Sequence, residues 1–412
     1  MTVTLTPKQA EVVDAAMRWL EVPAREDQEF VLAGFAGTGK TTLLREIVER
    51  RPSIACAAPT GKAASVLRGK LRAGASDVLA EVEVRTVHSL IYVPEEVDEA
   101  AMLRASKYLD WCRAKGNDEP EEVQRAEARL AKLEKMRERG ECEFRFNGRA
   151  AEAVIVDECS MIDEYLERDL RRTGAKLLFV GDPGQLPPVQ GRGFFERNRP
   201  DAVLDEIHRQ AAESPILRLA TSIRLGESFT DWNEACSYHP RGMPGAELCA
   251  HGKVLTGKND TRRALNERMR KHLGFSGQLP MRGEELICLR NSKDFGLVNG
   301  LPAHATRDAE PTGCGLFRIE LAIEGDVREL MVDDHAFRLY SDGEARRNPL
   351  AGQSPQFDFG HCITVHKAQG SEWDSVAVWD DGLFWGRGED RLRWAYTAAT
   401  RAQSRLSWIC GR

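Results

Sequence analysis

Short apolar runs that alternate with helical segments predict an α/β fold, and 412 residues are enough for two domains or a little more. Three places in the chain carry that prediction. Residues 30–33 form an apolar strand run that enters a glycine-rich turn and then a helical segment at 43–48. Residues 54–58 and 153–156 are two further buried-strand runs, and each ends in a polar turn. Open α/β sheets place ligand contacts at the carboxyl ends of their strands, so those turns are the first positions to inspect.

Composition sets outer limits. Apolar residues make up 42% and charged residues 30%, as in an ordinary soluble globular chain with ample core. The formal net charge of −6 argues against uniform adhesion to nucleic acid, so any such site must be a local basic groove. Residues 1–5 lack a charged-then-apolar signal pattern, and no apolar stretch approaches the roughly 18 residues of a membrane span. The ten cysteines stand singly with no Cys-x-x-Cys, so they read as reduced thiols of a cytoplasmic protein.

In chain order, Thr6 and Pro7 open a helix as N-cap and first helical residue. The amide of Gln9 can both donate and accept toward an adenine edge, although a glutamine there is by itself an ordinary surface residue. The stretch Gly34-Phe35-Ala36-Gly37-Thr38-Gly39-Lys40-Thr41-Thr42 meets the pattern G-x-x-x-x-G-K-[ST] between strand and helix. Glycines let the backbone wrap phosphate, and the amides that follow aim at it from a helix N-terminus. Lys40 would reach the β/γ-phosphates of a nucleotide, and the Thr41 hydroxyl would hold Mg²⁺.

Residues 59–64, Pro-Thr-Gly-Lys-Ala-Ala, follow the second strand, and the helix beyond carries Lys62, Arg68, Lys70 and Arg72. A solvated basic face accounts for most of those charges. Residues 84–90 contain His88, a lone histidine of the kind that is usually structural. Residues 93–145 are then dense in both signs of charge and predict two helices around a turn at 116–118. Asp118 and Glu121 resemble a capping box, and Gly140 can end the second helix. This is a helical-hairpin insertion too polar for the core of a sheet.

The strand at 153–156 ends in Asp157-Glu158, a pair suited to hold Mg²⁺ and to orient or deprotonate water. A strand at 176–180 enters a Pro/Gly-bounded loop that delivers Gln185 to sense a γ-phosphate. In the second half, residues 215–227 and 260–273 read as helices, and 254–255 and 284–291 as strands. Alternation at Phe317, Ile319, Leu321 and Ile323, with a turn at 324–326, predicts a hairpin in a small β subdomain. Residues 341–355 read as a loop. Residues 359–373 form a dense polar cluster, 375–379 a strand, 394–402 a helix with Arg401 near its end, and 406–409 a last strand.

Taken in order, GFAGTGKT, APTGKAA, VDECSM, GDPGQLPPV, TVHKAQGSEWDSV and YTAATRA resemble the motifs of a superfamily 1 DNA helicase of the RecD/Dda-like 5′→3′ branch. The resemblance runs from Gln9 to Ala402. It implies two RecA-like P-loop domains with ATP and Mg²⁺ between them. The first domain would span 1–92 and 146–200, interrupted by the helical insertion at 93–145. The second would span 201–300 and 355–412, interrupted by an SH3-like β insertion at 301–354. By the same resemblance Lys40, Asp157, Glu158 and Gln185 act in hydrolysis, with Thr41 and Asp157 on the metal, and Arg209 and Arg401 add charge from the second domain. Gln9, Gly34, Gly37, Thr38, Gly39, Thr41, Thr42, Gln369 and Gly370 would surround the nucleotide. Thr60, Lys62, Thr86, His88, Asn291, Asn299, Thr364 and His366 are then positions that contact the DNA strand.

The resemblance further implies a monomer acting on single-stranded DNA and at single-/double-strand junctions, away from membranes, with a replication or recombination protein as a partner for the 93–145 insertion. Related helicases often place a short β pin where this chain has its charged helices. Two other functions share the same residues: an RNA helicase or a single-strand translocase that does not unwind, and a DNA-binding scaffold with weak ATPase. The intact Lys40, Glu158 and Arg401 argue against the scaffold.

Overall fold

The computed structural model describes residues 5–73, 76–114, 120–138, 142–148, 151–189, 191–206, 213–292, 295–312, 315–338, 354–382 and 388–410. The expected turn at 116–118 with Asp118, the helix end at Gly140, Arg209 and most of the loop at 341–355 lie outside those residues.

The first domain opens with a helix, Pro7–Glu21, whose start is a full capping box. Gln9 N–H donates to Thr6 Oγ1 at 3.2 Å, and Thr6 N–H donates to Gln9 Oε1 at 3.0 Å. Strands β1 (Glu29–Gly34), β2 (Ala55–Ala58) and β3 (Val84–Thr86) follow, separated by the helices Lys40–Arg50 and Gly61–Arg72. The chain then leaves the sheet along an antiparallel ribbon, β4 (Tyr92–Glu96) and β5 (Cys142–Phe146), which carries the helices Glu99–Ala114 and Pro120–Glu138 at its far end. It returns as β6 (Ala153–Val156), β7 (Lys176–Gly181) and β8 (Ala202–Leu204). The sheet order is β3-β2-β6-β7-β1-β8, all parallel. Its central strands are buried along their whole length, as a parallel sheet covered on both faces requires.

The second domain is a parallel sheet of β17 (Cys362–Thr364), β10 (Lys253–Thr256), β18 (Trp373–Asp380), β19 (Ala402–Cys410) and β9 (Cys236–His239), in that order. Between β10 and β17 the chain builds an antiparallel sheet from β11 (Glu285–Cys288), β12 (Pro302–Ala305), β13 (Glu310–Pro311), β14 (Leu316–Ile323), β15 (Asp326–Asp333) and β16 (Phe357–Phe359). Phe317, Ile319, Leu321 and Ile323 are all buried in its core, and the β14–β15 turn puts Glu324 and Gly325 at φ 51° and 93°. Each fully buried Leu, Ile, Val or Phe here contributes about 1.5–3 kcal/mol of hydrophobic stabilisation.

Three boundaries differ from the sequence expectation. Residues 202–204, assigned by sequence to the second half, form the edge strand of the first sheet. Asp201 sets it there, accepting the Val31 N–H on Oδ2 and donating its own N–H to Val31 O, both at 2.8 Å. The small β subdomain takes in β11 and β16 from outside 301–354, because both strands pair with each other and β11 with β12. The insertion is more than a helical hairpin. The ribbon at its base was hidden by Pro94 and by a run of glutamates, which depress strand propensity.

Candidate nucleotide site at the domain seam

A cleft of about 470 Å³ runs between the two parallel sheets. The first domain lines it with Ala36, Gly37, Gly39, Lys40, Thr41, Asp157, Glu158 and Gln185, and the second with Gly370, Glu372, Arg401 and Gln403.

The phosphate loop is shaped by its glycines. Gly37 and Gly39 sit at φ 78° and 81°, a region an L side chain rarely adopts, and Gly39 is the N-cap of the helix Lys40–Arg50. Thr38 Oγ1 braces the loop by donating to Phe35 O at 2.8 Å, and Thr42 lies in the first turn of that helix. Lys40 Nζ donates to Gly34 O at 2.6 Å and to Phe35 O at 3.1 Å, and stands 3.9 Å from Asp182 Oδ2. An alkylammonium held on backbone carbonyls within a ring of amides can swing onto an anion at little cost. At Gly34 a Cβ would stand 2.9 Å from Lys40 Cγ, so only glycine leaves this lysine its place.

The carboxylates behind the loop are held against their preference. Burial, followed by the adjacent Glu158 charge, pushes the Asp157 carboxyl up to about 7, and Lys40 and Lys70 pull it back only in part. Glu158 sits at φ 53°, strained for a residue with a side chain. Its Oε2 and the Oε1 of Gln185 are buried without a hydrogen-bond partner. Two orphan acceptors and a raised carboxyl beside the N-terminus of the helix Lys40–Arg50 match a metal cation and a phosphate anion bound side by side. The donor set therefore fits a nucleotide with Mg²⁺, with Thr41 and Asp157 as the groups that would hold the metal.

On the facing wall Arg401 is 4% exposed. Its guanidinium donates to Thr397 O, Ser371 O and Thr400 Oγ1, each at 3.1 Å. Three of five donors fix the plane, and two remain for a ligand. Gly370 stands at φ 72°, where a Cβ would come within 2.8 Å of Ala63 Cβ across the seam. Gln369 Nε2 donates to Leu186 O at 2.9 Å and so joins the second domain to the loop bearing Gln185.

Gln9 sits behind the phosphate loop. It is 2% exposed and does not line the cleft. Its Oε1 is taken by the Thr6 N–H, and its Nε2 donates to Thr38 O at 3.0 Å. Through these bonds Gln9 ties the helix cap to the phosphate loop and braces that loop from behind.

Of the expected strand-contacting residues, Thr60, Thr86 and Thr364 stand at the carboxyl ends of β2, β3 and β17. Thr60, Thr86 and Thr364 each cap a helix there, accepting the N–H of Ala63, Ser89 and Lys367. Lys62 is half-buried and its pKa is lowered, by burial first. A Cβ on Gly61 would lie 2.5 Å from Val298, so the loop of the second domain bearing Asn299 abuts Thr60 and Lys62. Asn291 Oδ1 accepts the Asn299 N–H at 2.7 Å. His88 is exposed beside Tyr92, and burial lowers the pKa of His366.

Sequence reasoning set Asp182 beside Gln185 on the loop after the strand at 176–180 but missed its partner Tyr396, which it meets across the seam at 2.7 Å, and it missed the pair of Lys70 and Glu372, which meet there at 2.8 Å. Glu372 and Tyr396 both lie in dense second-half clusters. Lys70 carries no sequence signal that separates it from a solvated helix face.

Among the described residues, no helix is long and apolar enough to cross a membrane, and no cluster of three or more His, Cys, Asp or Glu could hold a metal ion. An AAA domain matches residues 4–238, and a UvrD-like helicase C-terminal domain matches residues 359–409. The chain is 28% identical over 275 residues to the ATP-dependent RecD2 DNA helicase of Deinococcus radiodurans, which covers 61% of this chain and 35% of that protein. It is 25% identical over 435 residues to the RecBCD enzyme subunit RecD of Mycobacterium tuberculosis, which covers 91% of this chain and 65% of that protein. The chain thus spans less than two thirds of either relative. A solved structure of Pif1 helicase from Bacteroides in complex with ADP-AlF3 and ssDNA superposes with a TM-score of 0.52 at 17% identity, covering 100% of this chain and 93% of that one.

Proposed function

The chain belongs to the AAA-domain family that matches residues 4–238, and from that premise we propose that it is an ATP-driven superfamily 1 DNA helicase of the RecD/Pif1-like kind. It moves 5′→3′ on single-stranded DNA and unwinds duplex ahead of it. The observation that carries this reading is that Lys40 and Arg401 line opposite walls of one interdomain cleft. A guanidinium on the far wall acts on phosphate only when the two domains close, which ties hydrolysis to domain motion.

In this reading ATP with Mg²⁺ supplies the phosphoanhydride whose cleavage drives the cycle. Amides of residues 37–41 and Lys40 would bind the phosphates, and Thr41 and Asp157 would hold the metal. Glu158 takes a proton from water, Gln185 orients that water, and Arg401 stabilises the charge that develops. Arg209 is proposed as a second cation from the same side. The threonine, asparagine and histidine positions at the strand ends, with Lys62, grip DNA phosphates and so carry no sequence code. Binding should therefore be sequence-independent and should weaken as salt rises. The helical arm on the β4–β5 ribbon is proposed as an insertion of the first motor domain. The antiparallel sheet is proposed as an SH3-like insertion of the second.

The test is ATP hydrolysis and strand separation on partial duplexes with a 5′ or a 3′ tail. The wild-type protein should unwind the 5′-tailed substrate. Arg401→Ala should lose hydrolysis by about 10³–10⁵-fold while still binding nucleotide. Hydrolysis stimulated by single strands with no unwinding from either tail would replace the helicase by a translocase. A Lys40→Ala variant with full stimulated hydrolysis would overturn the catalytic assignment.

A further inference from the structure

Tyr396 of the second domain reaches the backbone of the phosphate loop. Tyr396 lies in the helix Glu389–Ala399 and is 2% exposed. Its hydroxyl accepts the Ala36 N–H at 2.8 Å and donates to Asp182 Oδ2 at 2.7 Å. Asp182 is fully buried. Its Oδ1 accepts the Gly184 N–H at 2.9 Å, and its Oδ2 is the carboxylate oxygen 3.9 Å from Lys40 Nζ. The Tyr396 ring covers Gly184 so closely that a Cβ there would stand 3.0 Å from the ring. One phenol thus joins three segments: the phosphate loop, the loop that carries Gln185, and the helix that ends beside Arg401.

The bond directions are fixed. Burial and the Asp182 charge raise the Tyr396 pKa, so the phenol keeps its proton and always donates to the carboxylate. Its lone pair is then the acceptor for Ala36. The neighbouring residue makes a similar but separate tie, since Thr397 Oγ1 accepts the Leu186 N–H at 2.9 Å and does not reach the phosphate loop.

We propose that Tyr396 is a positioning residue that holds the Phe35–Ala36 peptide and the Asp182–Gln185 loop in register across the seam, so that both loops are set by the same helix that presents Arg401. This deepens the reading of the seam as a nucleotide site and rests on it. Loss of the hydroxyl leaves the Ala36 N–H and a buried carboxylate oxygen unmet while the ring still fills its place. The loop amides then wander, and hydrolysis suffers more than nucleotide binding.

The test is Tyr396→Phe beside Thr397→Val, with two readouts. The first is amide hydrogen exchange of the peptide covering residues 35–41 in nucleotide-free protein. Tyr396→Phe should speed it about tenfold, the size of one lost hydrogen bond, while Thr397→Val leaves that peptide at the wild-type rate. The second is DNA-stimulated ATP hydrolysis. In Tyr396→Phe, kcat should fall about tenfold or more, with KM for ATP changed by less than about threefold. Unchanged exchange in Tyr396→Phe, or equal acceleration in both variants, overturns the specific tie. Faster exchange with wild-type kcat and KM overturns the positioning role. Wild-type protein that hydrolyses no ATP would instead remove the nucleotide reading and leave the exchange result standing.

Discussion

The Asp157 carboxyl gives the sharpest test of how the site is built. Asp157→Asn keeps shape and polarity and removes only the charge. The folded carboxyl titrates at about 7, pushed there by burial and then by Glu158, whereas an unfolded aspartate titrates near ~3.9. That gap of about three units, at ~1.4 kcal/mol each, is worth about 4 kcal/mol. The sign follows from proton counting. Between about pH 4 and pH 7 the unfolded chain has released this proton and the folded chain still holds it, so stability falls as pH rises through that window and levels off above it. Asparagine cannot titrate, so the variant should match wild type near pH 4 and exceed it at pH 8, with about 4 kcal/mol as the ceiling. The assay is urea unfolding without nucleotide or divalent metal at several pH values, followed through Trp19, which is buried in the first-domain core. The Glu158 carboxyl feels the Asp157 charge in return, so the difference curve reports the Asp157–Glu158 pair rather than one carboxyl alone. A gap that stays constant from pH 5 to pH 8, or an Asn variant less stable than wild type at pH 8, would refute the reasoning. The same variant should lose ATP hydrolysis, so stability and activity move in opposite directions.

Two further outcomes are expected. Gly370→Val places a side chain against Ala63 on a backbone at φ 72°, so the seam is forced apart. Stimulated ATP hydrolysis should fall at least about tenfold with an unchanged far-UV circular dichroism spectrum, and wild-type turnover would show that the contact is dispensable. Burial pushes the Cys56 and Cys362 thiols up to about 12, so mass spectrometry after alkylation at pH 8 should find both unmodified in native protein and labelled only after unfolding. Labelling at the rate of the partly exposed Cys410 would contradict that burial.

What could be read from the residues differs by the kind of signal. The first sheet was legible because its strands are uniform apolar runs that break at glycine or proline; strand plus loop chemistry set Lys40, Asp157, Glu158 and Gln185 each after a strand end, and only the helicase resemblance brought them to one wall. The alternation at 317–323 announced β14 for the same reason. β9 was not legible, because Cys-Ser-Tyr-His has no periodic apolar face; its place at the sheet edge is fixed by pairing with β19. The bond from Gln9 to Thr38 O was not legible, because an amide that can serve adenine can equally serve a backbone carbonyl. Lys70 shows the general limit. Its partner Glu372 lies 302 residues away, and no local pattern encodes a contact between two domains.

The seam divides its polar groups into two kinds, and the division explains why the two domains can meet without sealing the cleft. Lys70 with Glu372, Tyr396 with Asp182, and Gln369 and Thr397 with the backbone of Leu186 are satisfied by each other across the boundary. Arg224 adds a guanidinium 3.9 Å over the Phe35 ring, the sort of contact worth about 0.5–2 kcal/mol. Glu158 Oε2 and Gln185 Oε1 are left unsatisfied, and an orphan acceptor costs about 1–3 kcal/mol. A chain shaped for stability alone would have filled those two positions or turned Glu158 to a relaxed backbone. Instead the closing contacts surround the site and the unmet acceptors lie within it, so a bound metal cation or an ordered water relieves a cost that the folded state already carries. Closure and binding thus use different groups set side by side at one seam, so a ligand that meets the inner acceptors acts where the surrounding contacts hold the two domains together.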